Sequence, residues 1–342
     1  MSRLDDLLGR EVPVRSLALL RTLVGPIVLL HLWPFLDDAR RGRIYRDVFH
    51  QPYASWYPEL PRDLYIALLV LGAIAAIAMT VGIAARAATI TAFVVVTYNL
   101  FLSTTNYHHN RAYLVVVLGA LALARSDDPD GVAPAWPLWL LRIEAATVYA
   151  TSGTSKLLDH DWWSGAVTWE RVVRVQHRLV TDTPLPRWAI DVLTDRDFHT
   201  AAAKVIIATE LFIALGVWSR RTRYAAVWVA VVFHVAIEIS ASVQVFSYLA
   251  VAALVIWSVP STRDRILHID PTSPAHRRLT RAVTSLDWLA RFRVESDRPP
   301  GAPIAVDDRD GTTLEGRRAG ALVFSRLPLT AWFALPARAT WR

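Results

Sequence analysis

The feature that most constrains this chain is a series of apolar runs of the length that a lipid bilayer requires. A membrane-spanning helix needs about 20 predominantly apolar residues, and about eight runs come near that length. The two runs at 111–125 and 245–259 are short, so we expect them to be tilted or half-buried rather than independent spans. The sequence predicts an all-α polytopic membrane bundle with spans at 17–35, 64–84, 87–106, 111–125, 135–156, 199–218, 223–241 and 245–259.

The composition agrees with a membrane protein and excludes several classes of site. The 342 residues are 54% hydrophobic and 20% charged, with 14 Trp, which is typical of a multi-span protein. Because the chain has no Cys, it can form neither disulfides nor thiolate metal sites. The net charge of +7 comes from arginines spread over loops and the C-terminal part, so it indicates affinity for a membrane surface, not nucleic acid.

Basic residues near the span ends predict orientation, because cytoplasmic loops carry the excess of positive charge. Arg86, the segment 220–223, Arg263 and the arginines before the first span fall on one side. We therefore expect a multi-pass protein of the inner (plasma) membrane with cytoplasmic N- and C-termini. The arginines between 40 and 46 fall on the other side, in a loop long enough to fold back. By this alternation the extracytoplasmic face carries the segment 108–111, Lys156 and the connection 157–197.

The fifth run ends in a lysine that shares one helix face with other polar side chains. Tyr149, Ser152 and Lys156 are spaced at one and two helical turns, so they can lie on the same side of the helix. A partly desolvated lysine has its charged form disfavoured and can serve as a base. Alternatively, a lysine at the end of a span extends to the headgroups and has no further role.

The segment around this lysine carries a recognisable motif. Residues 149–165 read YATSGTSKLLDHDWWSG, which resembles the Tyr-x-x-x-Gly-x-x-Lys-Leu and Asp-Trp-x-x-Gly pattern of the HTTM family. That family is the membrane domain shared by vitamin K-dependent gamma-carboxylase and many bacterial proteins. Residues 110–114, NRAYL, resemble the family's Asn-His-x-Tyr-Leu, and residues 233–234 with 245–248 resemble its His and Phe-Ser-Tyr pattern. The resemblance covers roughly residues 10–260, so we predict an HTTM-like transmembrane domain over 1–262.

The resemblance implies roles for particular residues. It makes Lys156 the base that acts on a lipophilic, quinol-type substrate, and the cofactor is otherwise unassigned. The family's Asn-His pair appears here as Asn110-Arg111, and His108 and His109 lie upstream of it. This difference from the family motif counts against the carboxylase reaction itself. The predicted catalytic residues are Lys156, Asn110, Arg111 and His234, and the predicted substrate-binding residues are Tyr149, Trp162, Glu238 and His109.

Other polar groups in the apolar runs have two interpretations. His234 and Glu238 are one helical turn apart, and Glu210 lies in the preceding run. Such a pair could relay a proton or orient a carbonyl, or it could form an interhelical hydrogen bond worth only about 1 kcal/mol. No helix shows a His-Glu-x-x-His spacing, so we predict no metal site.

The connection 157–197 is too long and too aromatic for a bare loop. The segment WWSGAVTWERVVRVQHRLV is predicted to lie on the membrane surface as an amphipathic helix beside the lysine. The segment 51–61, QPYASWYPELP, has similar content, and its aromatic residues are predicted interface anchors that contribute to the same cover.

The composition after 263 becomes charged and soluble in character. The pattern predicts a strand, an amphipathic helix and a strand, then a strand–turn–strand around Asp310-Gly311 and a final helix. This order resembles the DCC family of thioredoxin-like domains, which carry a Cys-x-x-Cys motif. Ser273 and His276 occupy the cysteine positions here, so thiol–disulfide exchange is excluded. We predict a small cytoplasmic α/β tail over 263–342, either a redox-inactive DCC-like domain or a basic tail with incidental similarity.

Two functions remain open from the sequence. The first is an HTTM-type enzyme that uses Lys156 on a membrane lipid or quinone. The second is a non-catalytic scaffold or accessory protein, in which the same residues form a structural polar core and the tail binds a protein partner. A transporter is disfavoured because no pair of matched broken spans stands out.

Overall fold

The computed structural model describes residues 3–43, 52–124, 131–174, 176–182, 186–241, 245–257, 263–287, 291–327 and 330. A helical bundle precedes a small α/β unit. The elements of the bundle are α1 (Arg3–Gly9), β1 (Glu11–Pro13), α2 (Arg15–Arg40), α3 (Arg62–Val81), α4 (Ala85–Leu102), α5 (His109–Leu123), β2 (Val132–Pro134), α6 (Trp136–Leu158), α7 (His160–Trp163), α8 (Ala166–Val173), α9 (Gln176–Asp182), α10 (Arg187–Thr194), α11 (Arg196–Gly216), α12 (Arg223–Ala241) and α13 (Val245–Ala253), which a 3-10 turn extends over Leu254–Trp257.

Each of the eight predicted apolar runs forms a helix, yet the helices differ in their ability to span a bilayer. By length and composition alone, α2, α3, α4 and α11 are long and apolar enough to cross a membrane. The short runs form α5 and α13 with its 3-10 turn, and both are shorter apolar helices. The predicted count of about eight spans is therefore not established, whereas a helical membrane bundle with at least these four candidate spans is.

The bundle holds together through close contacts at small residues. A Cβ on Gly25 of α2 would lie 1.9 Å from Thr80 Oγ1 of α3, so only glycine allows these two helices to approach this closely. Long apolar side chains on the outer faces remain exposed, for example Ile74 at 59% and Leu71 at 50%. Exposed apolar faces on helices of this length are typical of surfaces that contact lipid.

A short ribbon that the sequence analysis did not predict ties two helix starts together. β1 and β2 pair antiparallel, with Val12 opposite Ala133. The strands have three residues each, too few for a period-two pattern to be recognised. Because β1 precedes α2 and β2 precedes α6, the ribbon places the starts of these helices at the same end of the bundle.

The connection after α6 forms several short helices instead of the single amphipathic helix that was predicted. Gly165 separates α7 from α8 and has φ +79°, a conformation that L side chains rarely adopt. A Cβ there would also lie 2.5 Å from the Thr200 backbone nitrogen. The Trp169 indole donates to Thr194 O at 2.9 Å, and Thr200 Oγ1 donates to Ser164 O at 2.8 Å. These contacts fix the connection to the start of α11.

The tail contains the predicted sequence of elements. Four strands form one sheet in the order β4-β3-β5-β6, with β3 parallel to β4 and antiparallel to β5. A small core that includes Leu267, Val283 and Val323 lies between the sheet and its two helices. The elements are β3 (Arg265–His268), α14 (Pro274–Leu286), β4 (Phe292–Glu295), β5 (Ala305–Asp307), β6 (Thr313–Glu315) and α15 (Gly316–Arg326).

The tail contacts the bundle at the end opposite to Lys156. The Arg291 guanidinium donates to the Tyr224 hydroxyl at the start of α12 and lies 5.4 Å from the centre of its ring. Lys156 lies in the last turn of α6, whereas α6 begins beside the ribbon at the start of α2. The bundle therefore presents two chemically different ends.

Candidate functional site

The last turn of α6 holds Lys156 in a dense set of hydrogen bonds. Its Nζ donates to both carboxylate oxygens of Glu210 at 2.7 Å and to Ser152 Oγ at 2.6 Å. Ser152 Oγ in turn donates to Glu210 Oε1 at 3.0 Å. All three N–H groups of an ammonium ion have acceptors in this arrangement, so Lys156 points into the bundle rather than out to the headgroups.

The pair is shielded from water to a large extent. The side chain of Glu210 is 6% exposed and that of Lys156 is 16% exposed. The half-buried Trp162 ring lies on the outer side, with Lys156 Nζ 5.0 Å from its centroid. Burial strengthens the attraction between the two charges, and the indole face adds a cation–π contact to the ammonium.

Small residues and helix spacing explain why Glu210 reaches the lysine. Ser152 and Lys156 are one turn apart, so both face α11. Gly153 lies between them, and a Cβ there would be 3.0 Å from Leu211 Cδ2 and 3.3 Å from Glu210 Cβ. The missing side chain therefore allows α6 and α11 to pack closely at this level.

The geometry changes the chemistry expected of Lys156. An ammonium ion with three satisfied donors can act as a base only after it has released a proton. Glu210 lies at hydrogen-bond distance and is the group that can receive this proton. The arrangement therefore places a carboxylate, which can accept a proton, in direct contact with an amine, which can donate hydrogen bonds.

A second polar contact lies deeper in the bundle. The Tyr149 hydroxyl and His234 Nε2 are 2.7 Å apart, and the residues are 4% and 1% exposed. Phe246 packs against the imidazole with ring centroids 5.6 Å apart. Among the described residues, His234 Nδ1 has no hydrogen-bond partner. A buried polar atom of this kind is rare, so the site retains one unused donor or acceptor next to the Tyr149–His234 pair.

Comparison with known proteins assigns the bundle to a family. The family model for the HTTM domain matches residues 10–261, which is most of the chain. This chain belongs to the HTTM domain family. No curated protein and no solved structure matches it. The match contains α2 through α13 and therefore both polar contacts described above, whereas the tail follows it.

The structure brings together only part of the site predicted within the HTTM domain. Lys156 contacts Trp162, and Tyr149 contacts His234. The start of α5 forms a different cluster, in which Arg111 donates to Asn106 O at 2.8 Å and its guanidinium lies 4.9 Å from the Phe35 ring. No hydrogen bond, ion pair or ring contact among the described residues joins Arg111 to Lys156.

The other residues predicted near the start of α5 stay with that cluster. The Asn110 backbone N–H donates to His108 Nδ1 at 3.2 Å, a cap at the start of α5. The exposed His109 ring lies 5.9 Å from Tyr107. The segment 52–61 also contacts this region, because the ring centroids of Tyr53 and Tyr107 lie 5.7 Å apart. These contacts place a second aromatic and basic surface at the Lys156 end of the HTTM domain.

Two carboxylates of the HTTM domain lie near the predicted site residues. Glu238 lies one turn after His234 on α12 and is partly buried, but His234 uses Nε2 for Tyr149. The sequence places Glu210 only in the run before His234, and the structure pairs it with Lys156. A carboxylate within an apolar run requires an opposite charge nearby. This requirement was the signal in the sequence that could have indicated a basic partner for Glu210.

The chain contains a natural reference for Lys156. Only two of its 37 basic residues are lysines, Lys156 and Lys204. Lys204 on α11 also lies against an indole, with Nζ 5.2 Å from the Trp163 centroid. Unlike Lys156 it is exposed, and no carboxylate among the described residues forms an ion pair with it. The two lysines therefore separate the effect of the ion pair from the effect of a neighbouring tryptophan.

Proposed function

We propose that this HTTM domain membrane protein transfers protons to and from a lipophilic substrate at the Lys156–Glu210 pair. The observation that supports this proposal is the buried pair at the end of α6, covered by Trp162. The resemblance of the motif to the membrane domain of vitamin K-dependent gamma-carboxylase suggests a quinol as the substrate. A hydroxyl that enters beside Trp162 would give its proton to the Glu210 carboxylate, while the Lys156 ammonium stabilises the resulting oxyanion.

The other predicted site residues have supporting roles in this proposal. Tyr149 and His234 lie deeper in the bundle, and in this proposal His234 Nδ1, which has no hydrogen-bond partner among the described residues, would meet a substrate oxygen or a water molecule. Asn110, Arg111 and His109 belong to the neighbouring cluster at the start of α5, so they act on access to the site rather than on the reacting atoms.

The arrangement of arginines supports an orientation for the site. Arg15, Arg86, Arg220 and Arg263 belong to the end of the bundle that bears the tail. Since cytoplasmic ends carry the excess of positive charge, the proposed orientation puts the tail and both termini in the cytoplasm. The Lys156–Glu210 pair then faces the outer side of the inner membrane.

The second candidate is a non-catalytic scaffold, and one observation favours it. All three N–H groups of Lys156 are satisfied by Glu210 and Ser152, which is also the geometry of an ion pair that only holds α6 against α11. In this interpretation the bundle presents a partner-binding surface, and the polar residues fix the packing of the helices.

The proposed role of the tail is binding rather than redox chemistry. The sheet order β4-β3-β5-β6 with a parallel β3–β4 pair supports the likeness to a DCC-type thioredoxin-like domain. Ser273 caps α14 and accepts from the His276 N–H at 3.4 Å, so both cysteine positions lie at the helix start. Since neither residue can form a thiolate, we assign the tail to contact with a protein partner.

Quinol binding to detergent-purified variants distinguishes the two functions. Wild type, Lys156→Met, Glu210→Gln and the matched control Lys204→Met are titrated with a short-chain benzoquinol and naphthoquinol, and co-purified quinones are measured by mass spectrometry. We expect Lys156→Met and Glu210→Gln to bind quinol at least about tenfold more weakly than wild type, because each loses a charge-assisted hydrogen bond. Lys204→Met should bind quinol as wild type does.

Equal binding by all four proteins, or binding by none of them, contradicts the proposed function and leaves the scaffold. Gel filtration of each variant shows whether it remains folded. Labelling with an amine-reactive reagent adds an independent readout. The Lys156 amine should react slowly in wild type and faster in Glu210→Gln, whereas Lys204 should react at the same rate in both.

A further inference from the structure

A cavity of about 290 Å³ lies at the end of the bundle that bears the tail. It opens where α2 begins and α3 ends, away from the Lys156–Glu210 pair. Three arginines line it, Arg15 and Arg21 from the first turns of α2 and Arg263 from the start of the tail. Thr22 and Thr80 line it as well. Guanidinium groups are the usual partners of a phosphate group.

Arg21 is the innermost of the three arginines. It is 5% exposed although it belongs to a candidate membrane span. Its Nη2 lies 3.6 Å from the position that a Cβ on Gly82 would occupy, so the guanidinium reaches the turn after α3. Gly82 ends α3 with φ +82°, a conformation that favours glycine. An arginine directed into a cavity between membrane helices is a functional candidate.

The close contact between α2 and α3 adjoins the cavity, because Gly25 faces Ala76 and Thr80, and Thr80 also lines the cavity. Thr80 Oγ1 donates to Ala76 O at 2.7 Å, which holds the hydroxyl at this contact. Arg15 is partly exposed and Arg263 is exposed, so a ligand can enter from the aqueous side or from the lipid headgroup layer.

The surface beside the cavity is apolar and exposed. Leu23 is 46% exposed, Val81 is 62% exposed and Ile83 is 68% exposed. These side chains lie on α2, at the end of α3 and in the following turn, next to the lining arginines and threonines. An anion with an apolar extension fits such a surface, because the acyl chains can cover these side chains while the phosphate meets the guanidinium groups.

We propose that this cavity binds the phosphate headgroup of an anionic phospholipid from the membrane leaflet on the tail side. Arg21 holds the phosphate from the inner end, and Arg15 and Arg263 hold it from the open end. Because Arg263 belongs to the start of the tail, the bound headgroup links the tail to α2 and α3. The site is independent of the proposed proton transfer at Lys156.

The test measures phospholipid binding to the full-length protein by native mass spectrometry in a mild detergent. The probes are dioctanoyl phosphatidylglycerol, dioctanoyl phosphatidylcholine and inorganic phosphate. The variant is the double substitution Arg15→Gln/Arg263→Gln, which leaves the buried Arg21 in place. Arg86→Gln is the matched control, since Arg86 is an exposed arginine in the first turn of α4 at the same end of the bundle.

We expect wild type and Arg86→Gln to prefer phosphatidylglycerol over phosphatidylcholine. The double variant should bind phosphatidylglycerol at least about tenfold more weakly than wild type, since it lacks two of the three cations. Equal affinity for the two lipids, or equal affinity of wild type and the double variant, overturns the proposal. Tight binding of inorganic phosphate without binding of phosphatidylglycerol also overturns it, because the site would then serve a free anion.

Discussion

The bundle and the tail each contain a basic side chain held by carboxylate oxygens, but in different surroundings. In the bundle, the Lys156 and Glu210 side chains are 16% and 6% exposed. In the tail, His268 is 16% exposed and lies between Asp297 at 2.7 Å and Asp307 at 3.1 Å, whose side chains are 49% and 42% exposed. The two basic side chains are shielded alike, so the difference lies in how well water hydrates the carboxylates.

This difference determines what each cluster contributes. A hydrated carboxylate loses little when its partner is removed, and exposed ion pairs contribute only about 0–1 kcal/mol. A buried carboxylate and ammonium depend on each other, because either charge alone would remain buried without compensation. The bundle pair is therefore expected to behave as one unit, and the tail cluster as separate weak contacts.

The largest expected effect comes from breaking the bundle pair on one side. Glu210→Leu leaves the Lys156 ammonium without its carboxylate in a shielded position. We expect the free energy of unfolding to fall by roughly 3–5 kcal/mol, measured by denaturant titration in mixed micelles. The double variant Lys156→Met/Glu210→Leu should recover most of this loss. If the single and double variants are equally destabilised, the two residues do not act as a unit.

An intermediate effect is expected deeper in the bundle at Tyr149. Tyr149→Phe removes the hydroxyl from His234 Nε2 and leaves a second buried nitrogen without a partner. The free energy of unfolding should fall by about 1–2 kcal/mol, measured in the same titration. Tyr53→Phe, at a half-exposed aromatic residue, is the control and should change it by less than about 0.5 kcal/mol. Equal effects at the two tyrosines would show that the contact with His234 is not stabilising.

The smallest expected effect is the pH dependence of the tail. Burial by itself lowers the pKa of His268, but the hydrogen bonds and charges of Asp297 and Asp307 outweigh it, so the pKa is raised above 6.5. A raised pKa in the folded state means that the contribution to stability is complete below pH 6.5 and is lost as the pH rises through the folded value. Each ring nitrogen must carry a proton to donate to its carboxylate, which agrees with this direction.

Hydrogen exchange of the full-length protein measures this contribution. Amides of β3 and β5, corrected for the intrinsic pH dependence of exchange, should be better protected at about pH 6 than at about pH 8.5. The difference should correspond to less than about 1 kcal/mol and disappear in His268→Gln. Protection that increases with pH in the wild type would contradict the raised pKa.

The helical part of the fold could be predicted from the sequence, because apolar runs of membrane length indicate buried helices directly. The eight predicted runs form α2 to α6 and α11 to α13, and the tail elements follow the predicted order. Their capacity to span a bilayer was harder to predict, since runs such as 111–125 form helices that are short for a membrane. The break at Gly165 was also not predicted.

Only part of the candidate site could be predicted from the sequence. The helix period places Tyr149, Ser152 and Lys156 on one face without reference to any other helix. The choice of Glu210 as partner depends on how α11 packs against Gly153, and a single sequence does not report this contact. The position of Arg111 beside Phe35 and Asn106 depends in the same way on the packing of α2, α4 and α5.

The sequence by itself determined a helical membrane chain with a lysine at the end of one helix, because the length of an apolar run and the 3.6-residue period are local properties. Only the tertiary structure decided that this lysine is held by Glu210, that the arginines of α2 and the tail meet around one cavity, and that Arg111 stays apart. These are contacts between residues far apart in the chain, and their geometry is set by how closely glycine and other small residues let neighbouring helices approach.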